Sequence, residues 1–449
     1  MTAFHNHDTS RLGFHYYPDT LHYSQGDLQI WLPVLKRLQA SWLVLVAPID
    51  RAIPEAFLRG LIEAHIQPIL HFHLPLGKAI DLASLRLLFE NYADWGLKTV
   101  ILFDRPNTRQ AWSSQSWVQS DLTERFLDIF LPPAEIALHT GLKPVLPPLE
   151  PGGDYWDTAY LQALLKGIKR RGSGELLEAL SLSAYARVTG KSLHWGAGGP
   201  ERWPKSRPYS LPAGHQDQRG FYIFDWYLSI AQAVLDKQPP VLLLGVGSPL
   251  VAHDNPDQMM HARVEHAEKN LALAQRVCTP ADETLPSNTL DPISAHVLAC
   301  NFWLLTATAD SPHLADAWFY TDGCGKEAAE SFLVWLSMGR QRTSPSSNSS
   351  SELNTQKPTS QSIDHYLLLP LFEWGVSEWY LDAIRPFILK HRPTIGFSTE
   401  EAGRAKRVTV IGGEQLFADN VLDELRNAGC RVDRISGDGT EIASTLSTL

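Results

Sequence analysis

The first 339 residues repeat one unit: a short apolar run followed by a stretch with the 3.6-residue period of an amphipathic helix. The runs are "LGFHYYPD" at 12–19, "SWLVLVAPI" at 41–49, "QPILHFHLPL" at 67–76, "KTVILFDRPN" at 98–107, "KPVLPPLEP" at 143–151, "LSLSAYARV" at 180–188 and "PVLLLGVGSPL" at 240–250. An eighth, "AHVLACNFWLLTA" at 295–307, fits strand or helix by pattern alone. Apolar residues fill the runs instead of alternating with polar ones, so both faces of the sheet are expected to be covered. Strands that alternate with helices give parallel pairing. Eight such units predict an α/β fold, a (β/α)8 TIM-like barrel over residues 1–339. An open doubly wound sheet is the second choice. Local signals agree: Asp81 is placed to cap a helix over 82–95, and Gly96 to end it.

Residues 340–362, "RQRTSPSSNSSSELNTQKPTSQS", carry too little apolar surface for a core and are expected to form a flexible Ser/Asn/Pro-rich linker. From 363 to 449 the strand–helix pattern resumes, which predicts a small C-terminal Rossmann-like α/β module.

A formal charge of -10 argues against a broad nucleic-acid surface. The four cysteines, Cys278, Cys300, Cys324 and Cys430, form no CxxC pair, so neither a zinc ribbon nor a disulfide framework is expected. "MTAFHNHDTSRLGFHYYPD" lacks the basic and apolar regions of a signal peptide, and no apolar run reaches membrane-spanning length. The expected compartment is therefore the cytoplasm. The sequence is silent on oligomeric state. "GVGSPL" is not GxSxG, no P-loop is present, and "IGGEQLF" lacks GxGxxG spacing, so no nucleotide cofactor is expected.

In a (β/α)8 barrel, functional side chains sit where strands run into the following loops. That rule selects His15 after the first strand, His71 and His73 on the third, and Asp104, Arg105 and Asn107 after the fourth. It selects Glu150 and Asp154 after the fifth, Trp195, Glu201 and Trp203 in the insertion after the sixth, and Asn301 on the eighth. Asp104 and Glu150 end adjacent strands and are the candidate carboxylate pair. Two such carboxyls flanking one bond are what glycoside hydrolysis requires, with Arg105 able to hold one ionised. The other named residues would line the substrate cleft. Asp104 has a second reading, as one half of an Asp–Arg clamp, and Asp154 as a helix N-terminal acid. His71 and His73 face one way and permit a metal, but no remote set of ligands accompanies them, so none is assigned. The 14 tryptophans include Trp112, Trp156, Trp195 and Trp203 in expected loops, where aromatic faces suit sugars as well as cores.

Two resemblances follow from these segments. "VTVIGGEQLFADNVLDELRNAGCRVDRISGDGTEIAS", Val408 to Ser444, resembles a single module of the type-2 cell-wall-binding repeat family. The shared features are an Ile-Gly-Gly strand end, a helix, a Val-x-Arg-Ile strand, a Gly-Asp turn and a Thr-led helix. That resemblance implies a wall polymer as partner and association with the cell surface. The family's Asp-Arg-Tyr is replaced here by Asp438, Gly439 and Thr440. The N-terminal part resembles glycosidase-type TIM barrels in architecture, which implies a carbohydrate-active barrel acting on a glycan. The common retaining pattern ends its fourth strand in Asn-Glu and takes a Glu from its seventh. Here the fourth ends Asp-Arg-Pro-Asn and the seventh has no carboxylate before Asp254. A non-catalytic barrel that binds a carbohydrate or a partner is the alternative.

Overall fold

A computed structural model describes residues 10–206, 216–279, 290–343, 363–370, 378–391, 393–396, 398–437 and 439–447. The chain divides into two compact units, 1–345 and 346–449.

The first unit is built on eight strands: β1 (Leu12–His15), β2 (Trp42–Val46), β3 (Gln67–Phe72), β4 (Thr99–Leu102), β5 (Lys143–Val145), β6 (Leu182–Arg187), β7 (Val241–Gly247) and β8 (Val297–Phe302). All pairings are parallel, in the order β5-β4-β3-β2-β1-β8-β7-β6. The first and last strands of that order meet at a seam. A parallel bridge joins Val145 to Ser181, Leu146 N–H donates to Ser181 O at 2.9 Å, and Ser183 Oγ donates to Leu146 O at 2.6 Å. The sheet is thus a barrel rather than an open doubly wound sheet. The ambiguous eighth run is a strand, fixed by its pairing to both β7 and β1.

Period-two alternation sorts each strand between two cores. Leu70 and Phe72 of β3 point outward, where Phe72 packs edge-on to Phe89 of the helix Leu82–Asp94 with ring centroids 5.5 Å apart. Asp81 caps that helix through the N–H groups of Ala83 and Ser84, and Gly96 follows it with φ +94°, both as expected. Inside the barrel, Val44, Ile69, Ile101, Val145, Leu242, Leu244 and Ala299 form a separate aliphatic core. Gly13 sits against it because there is no room for more: a Cβ there would lie 2.2 Å from Asn301 Oδ1 and 2.7 Å from Trp42 Cβ.

The helix Glu327–Thr343 takes the first four residues of the expected linker, 340–343; the rest of it, 344–362, lies outside the described residues. In the second unit, β9 (Ile363–Leu368), β10 (Thr394–Gly396), β11 (Ala405–Ile411) and β12 (Arg431–Ile435) form a parallel sheet in the order β10-β9-β11-β12. Tyr366, Leu368, Val408 and Val410 belong to the core on one face, and Leu367, Leu369, Ile411 and Ile435 to the core on the other. No helix among the described residues is long and apolar enough to cross a membrane.

Two stability measurements follow. Gly13→Ala is expected to lower barrel stability by about 1–3 kcal/mol, the usual range for overpacking; an unchanged denaturation midpoint would contradict the close packing described. Among the described residues, no core residue of the first unit lies beyond Leu336, and none of the second before Ile363. A chain ending after residue 343 is therefore expected to melt cooperatively and remain monodisperse. Aggregation would show that the second unit completes the first one's core.

Candidate active site at the mouth of the barrel

Going up the barrel axis, interior positions change from aliphatic to polar. His15, His71, Tyr185 and Arg187 occupy the inward positions nearest the C-terminal ends of β1, β3 and β6. Burying such groups is costly unless each finds a partner. His71 Nε2 lies 2.9 Å from Phe103 O, so it carries the proton and donates. Burial, reinforced by neighbouring His73, brings the His71 pKa down to about 4. His15 Nε2 accepts from Gly245 N–H at 3.0 Å, which leaves its proton on Nδ1. Burial, with His71 and Arg187 nearby, holds His15 well below the ordinary histidine value. Both rings are therefore neutral at physiological pH.

Asp104 follows β4 in a tight backbone turn. Phe103 (φ 68°) and Arg105 (φ 45°) flank it in the left-handed region, which costs of order 1 kcal/mol or more per non-glycine residue. Hydrogen bonds from Phe103 N to Phe72 O (2.8 Å) and from Arg105 N to Pro148 O (3.0 Å) hold the turn. It aims the carboxylate at Tyr185, whose hydroxyl donates to Oδ1 at 2.6 Å, while Arg105 Nε donates to Oδ2 at 2.9 Å. Burial alone would raise the Asp104 pKa. Positive charge on His71, Arg105 and His73, with the Tyr185 hydrogen bond, outweighs it and holds the carboxyl below its usual range.

Arg105 also reaches Glu150, Nη1 to Oε2 at 3.5 Å. One planar guanidinium between them keeps the two contacting carboxylate oxygens within about 9 Å of each other. Glu150 is positioned through its backbone. Its N–H donates to Asn107 Oδ1 at 2.8 Å, and its carbonyl accepts from Asn107 Nδ2 at 2.9 Å. Asn107 Nδ2 also donates to Tyr155 O, and the residue is fully buried. Asn107 thus fastens the loop after β4 to the loop after β5, with its amide wholly engaged with backbone. Asp157, in the first turn of the helix Asp157–Arg170, continues the fastening. It accepts from Gly152 N (2.8 Å), Gln218 Nε2 (2.5 Å) and Tyr227 Oη (2.9 Å). Burial pushes its pKa up to about 6 against those three bonds.

Beside Glu150 opens a cleft of ≈ 320 Å³ lined by Pro151, Tyr185, Arg187, Thr189, Lys191 and Arg219. A second cavity, ≈ 160 Å³, lies on the far side of Arg187, against Gly245–Pro249, Trp303, His313 and Asp316. Asp217, 2% exposed, anchors the insertion by accepting from Lys191 Nζ, Arg219 Nη2 (2.8 Å) and Trp195 Nε1 (3.0 Å). The Trp195 and Trp203 rings lie 4.9 Å apart, with Lys191 Nζ 4.2 Å above Trp195.

The structure therefore groups Asp104, Arg105, Glu150, His15, His71 and His73 at one mouth, with Trp195 joined to the cleft through Lys191 and Asp217. Asp154 is exposed and accepts from Arg109 N–H at 2.7 Å; the first-turn acid of the following helix is Asp157 instead. Glu201 is exposed on the short helix Gly199–Arg202. Asn301 is fully buried deeper in the barrel, donating to Leu243 O at 2.9 Å. Among the described residues no cluster of three or more His, Cys, Asp or Glu is arranged to hold a metal ion. The strand-end rule did not select Tyr185 and Arg187. The sequence did carry a signal for them, because "AYAR" alternates alanine outward with a polar residue inward. Asp157 and Asp217 had none, since their partners are brought together only by the fold.

No protein-family model and no curated protein sequence matches the chain. Among solved structures it is similar to a GH128 (subgroup II) endo-β-1,3-glucanase from Sorangium cellulosum, at 14% identity over 72% of this chain and 97% of that one (TM-score 0.41). It is also similar to a GH39 β-xylosidase from Caulobacter crescentus (10% identity, 74% and 71%, TM-score 0.44) and to xylanase 10B from Thermotoga maritima (10%, 74% and 97%, TM-score 0.42). At these scores the likenesses add nothing to the fold, which the strand order establishes by itself.

Asp157 supplies a pH test. A carboxyl whose folded pKa is raised binds its proton more tightly folded than unfolded. Its contribution to stability therefore falls as pH rises from about 4 to about 6, by ~3 kcal/mol in all. Asp157→Asn removes that loss. The stability of the variant relative to wild type, from denaturant titrations, is expected to improve by ~2–3 kcal/mol between pH 4 and 7. A difference constant with pH would contradict the assignment.

Proposed function

We propose that the first unit is a carbohydrate-active barrel that hydrolyses a glycosidic bond, with Asp104 and Glu150 as its carboxylate pair. The observation that carries this reading is that both acids contact one guanidinium at the mouth, within the separation used by paired glycosidase carboxyls, beside a cleft large enough for a sugar ring. Asp104, held ionised, is suited to meet positive charge developing at the anomeric carbon. Glu150, half-exposed at the cleft wall, is the acid/base partner. His71 and Arg105 position Asp104, and Asn107 positions Glu150. Arg187, Trp195 and Trp203 offer stacking and hydrogen-bonding surface for neighbouring sugar units.

One observation favours a second reading. Arg105 occupies the space between the two acids, where a scissile oxygen would have to enter. A barrel that binds a glycan without cleaving it would keep such an arrangement. The second unit is proposed as a docking module for a wall polymer, at the cell surface. That part rests on the sequence resemblance of residues 408–444.

Aryl glycosides and cell-wall polysaccharides, offered to wild type and to Asp104→Asn/Glu150→Gln, separate the two readings. Turnover by wild type and a fall of at least about 10³-fold in the folded variant are expected. Binding without turnover in the wild type would leave the barrel as a binding protein.

A further inference from the structure

Among the described residues, the cleft holds one cation without a counter-ion. Arg105 is matched to Asp104 and Glu150, and Lys191 and Arg219 share Asp217. Arg187, on the inward face of β6, makes no hydrogen bond and no ion pair among the described residues. Its guanidinium carbon instead lies over two rings, 5.3 Å from the centroid of Tyr185 and 5.6 Å from that of Trp303. Room for it is made at Gly245, where a Cβ would come within 3.3 Å of Arg187 Nε. The side chain lines both cavities of the mouth. Across the smaller one stands Asp316, which accepts from Leu250 N–H at 2.7 Å and does not come within ion-pair distance of Arg187. The adjacent His15 is occupied with Gly245 N–H. A guanidinium presents its five N–H groups in its own plane. With no protein acceptor on them among the described residues, those groups are free for a planar, two-oxygen acceptor.

We infer that Arg187 is a recognition residue for a carboxylate on the ligand, so that the mouth takes an acidic sugar, a uronate or a sialate, rather than a neutral one. Lys191 and Arg219, two cations on one carboxylate, add positive potential along the same wall in a chain of formal charge -10. This rests on the reading of the mouth as a glycan site and narrows it to acidic glycans.

Binding is measured by calorimetry on the full chain. The probes are glucuronate, galacturonate and N-acetylneuraminate, against glucose, galactose, glucose 6-sulfate and glucose 6-phosphate. At least one carboxylated sugar is expected to bind, tighter by tenfold or more than the neutral sugars and than the sulfate and phosphate esters. Arg187→Gln should abolish that preference. Arg187→Lys, which keeps the charge and loses the two-pronged geometry, should weaken it about tenfold. Thermal melts establish that each variant folds, and the lysine variant decides if the glutamine one does not. Equal binding of neutral and acidic sugars, no binding of any carboxylated probe, tighter binding of the esters, or affinity unchanged in both variants would overturn the assignment. Because the readout is binding, a barrel without turnover leaves this inference standing. Conversely, a barrel that cleaves neutral glycans equally well as Arg187→Gln sinks this inference alone.

Discussion

Arg105 is the fastening on which the mouth of the barrel depends. Its side chain meets Asp104 on one side and Glu150 on the other, and its own backbone N–H is bonded to Pro148 O on the loop that carries Glu150. Two carboxylates this close repel each other. A guanidinium between them offsets that repulsion and leaves Asp104 ionised despite its burial. The left-handed turn at Phe103–Arg105 is stabilised by the same contacts, because the backbone groups it exposes are bonded to Phe72, His71 and Pro148.

Around this fastening the barrel separates two requirements. Its lower interior is aliphatic and supplies stability. Its upper interior is a polar layer in which almost every group is spoken for by the protein itself. His15 and His71 are fixed in single tautomers by one backbone group each, Tyr185 by Asp104, and Asn107 by three backbone groups. Such locking fixes side-chain positions before any ligand arrives. Against that background an arginine that lies over two rings with no hydrogen-bond partner among the described residues stands apart.

Much of this was legible in the sequence, for a physical reason. Parallel strands covered on both faces read as unbroken apolar runs, so the eight units stood out. The rule that barrels present chemistry at strand ends then located Asp104, Arg105 and Glu150 from position alone. The same rule also selected Asn107, Asp154 and Asn301, because it cannot tell a side chain facing the cleft from one turned into backbone or core. Asn107 lies two residues beyond Arg105, yet its bonds run to residues 43 and 48 positions away. Asp157 and Gln218, 61 positions apart, form one buried cluster that no local pattern announces. Arg187 was within reach of the alternation in "AYAR", and was hidden because arginine on a strand is usually a solvent-facing residue.

The central claim is that Arg105, together with His71 and His73, holds Asp104 ionised against the pull of burial. Selective ¹³C labelling of aspartate carboxyls, with Asp104 assigned by the loss of its signal in Asp104→Asn, follows this directly in wild type and in Arg105→Gln across pH 3 to 8. The account predicts that Asp104 titrates below the ordinary carboxylate range in wild type. It predicts a midpoint displaced upward once the guanidinium is gone. The same midpoint in both proteins would contradict it.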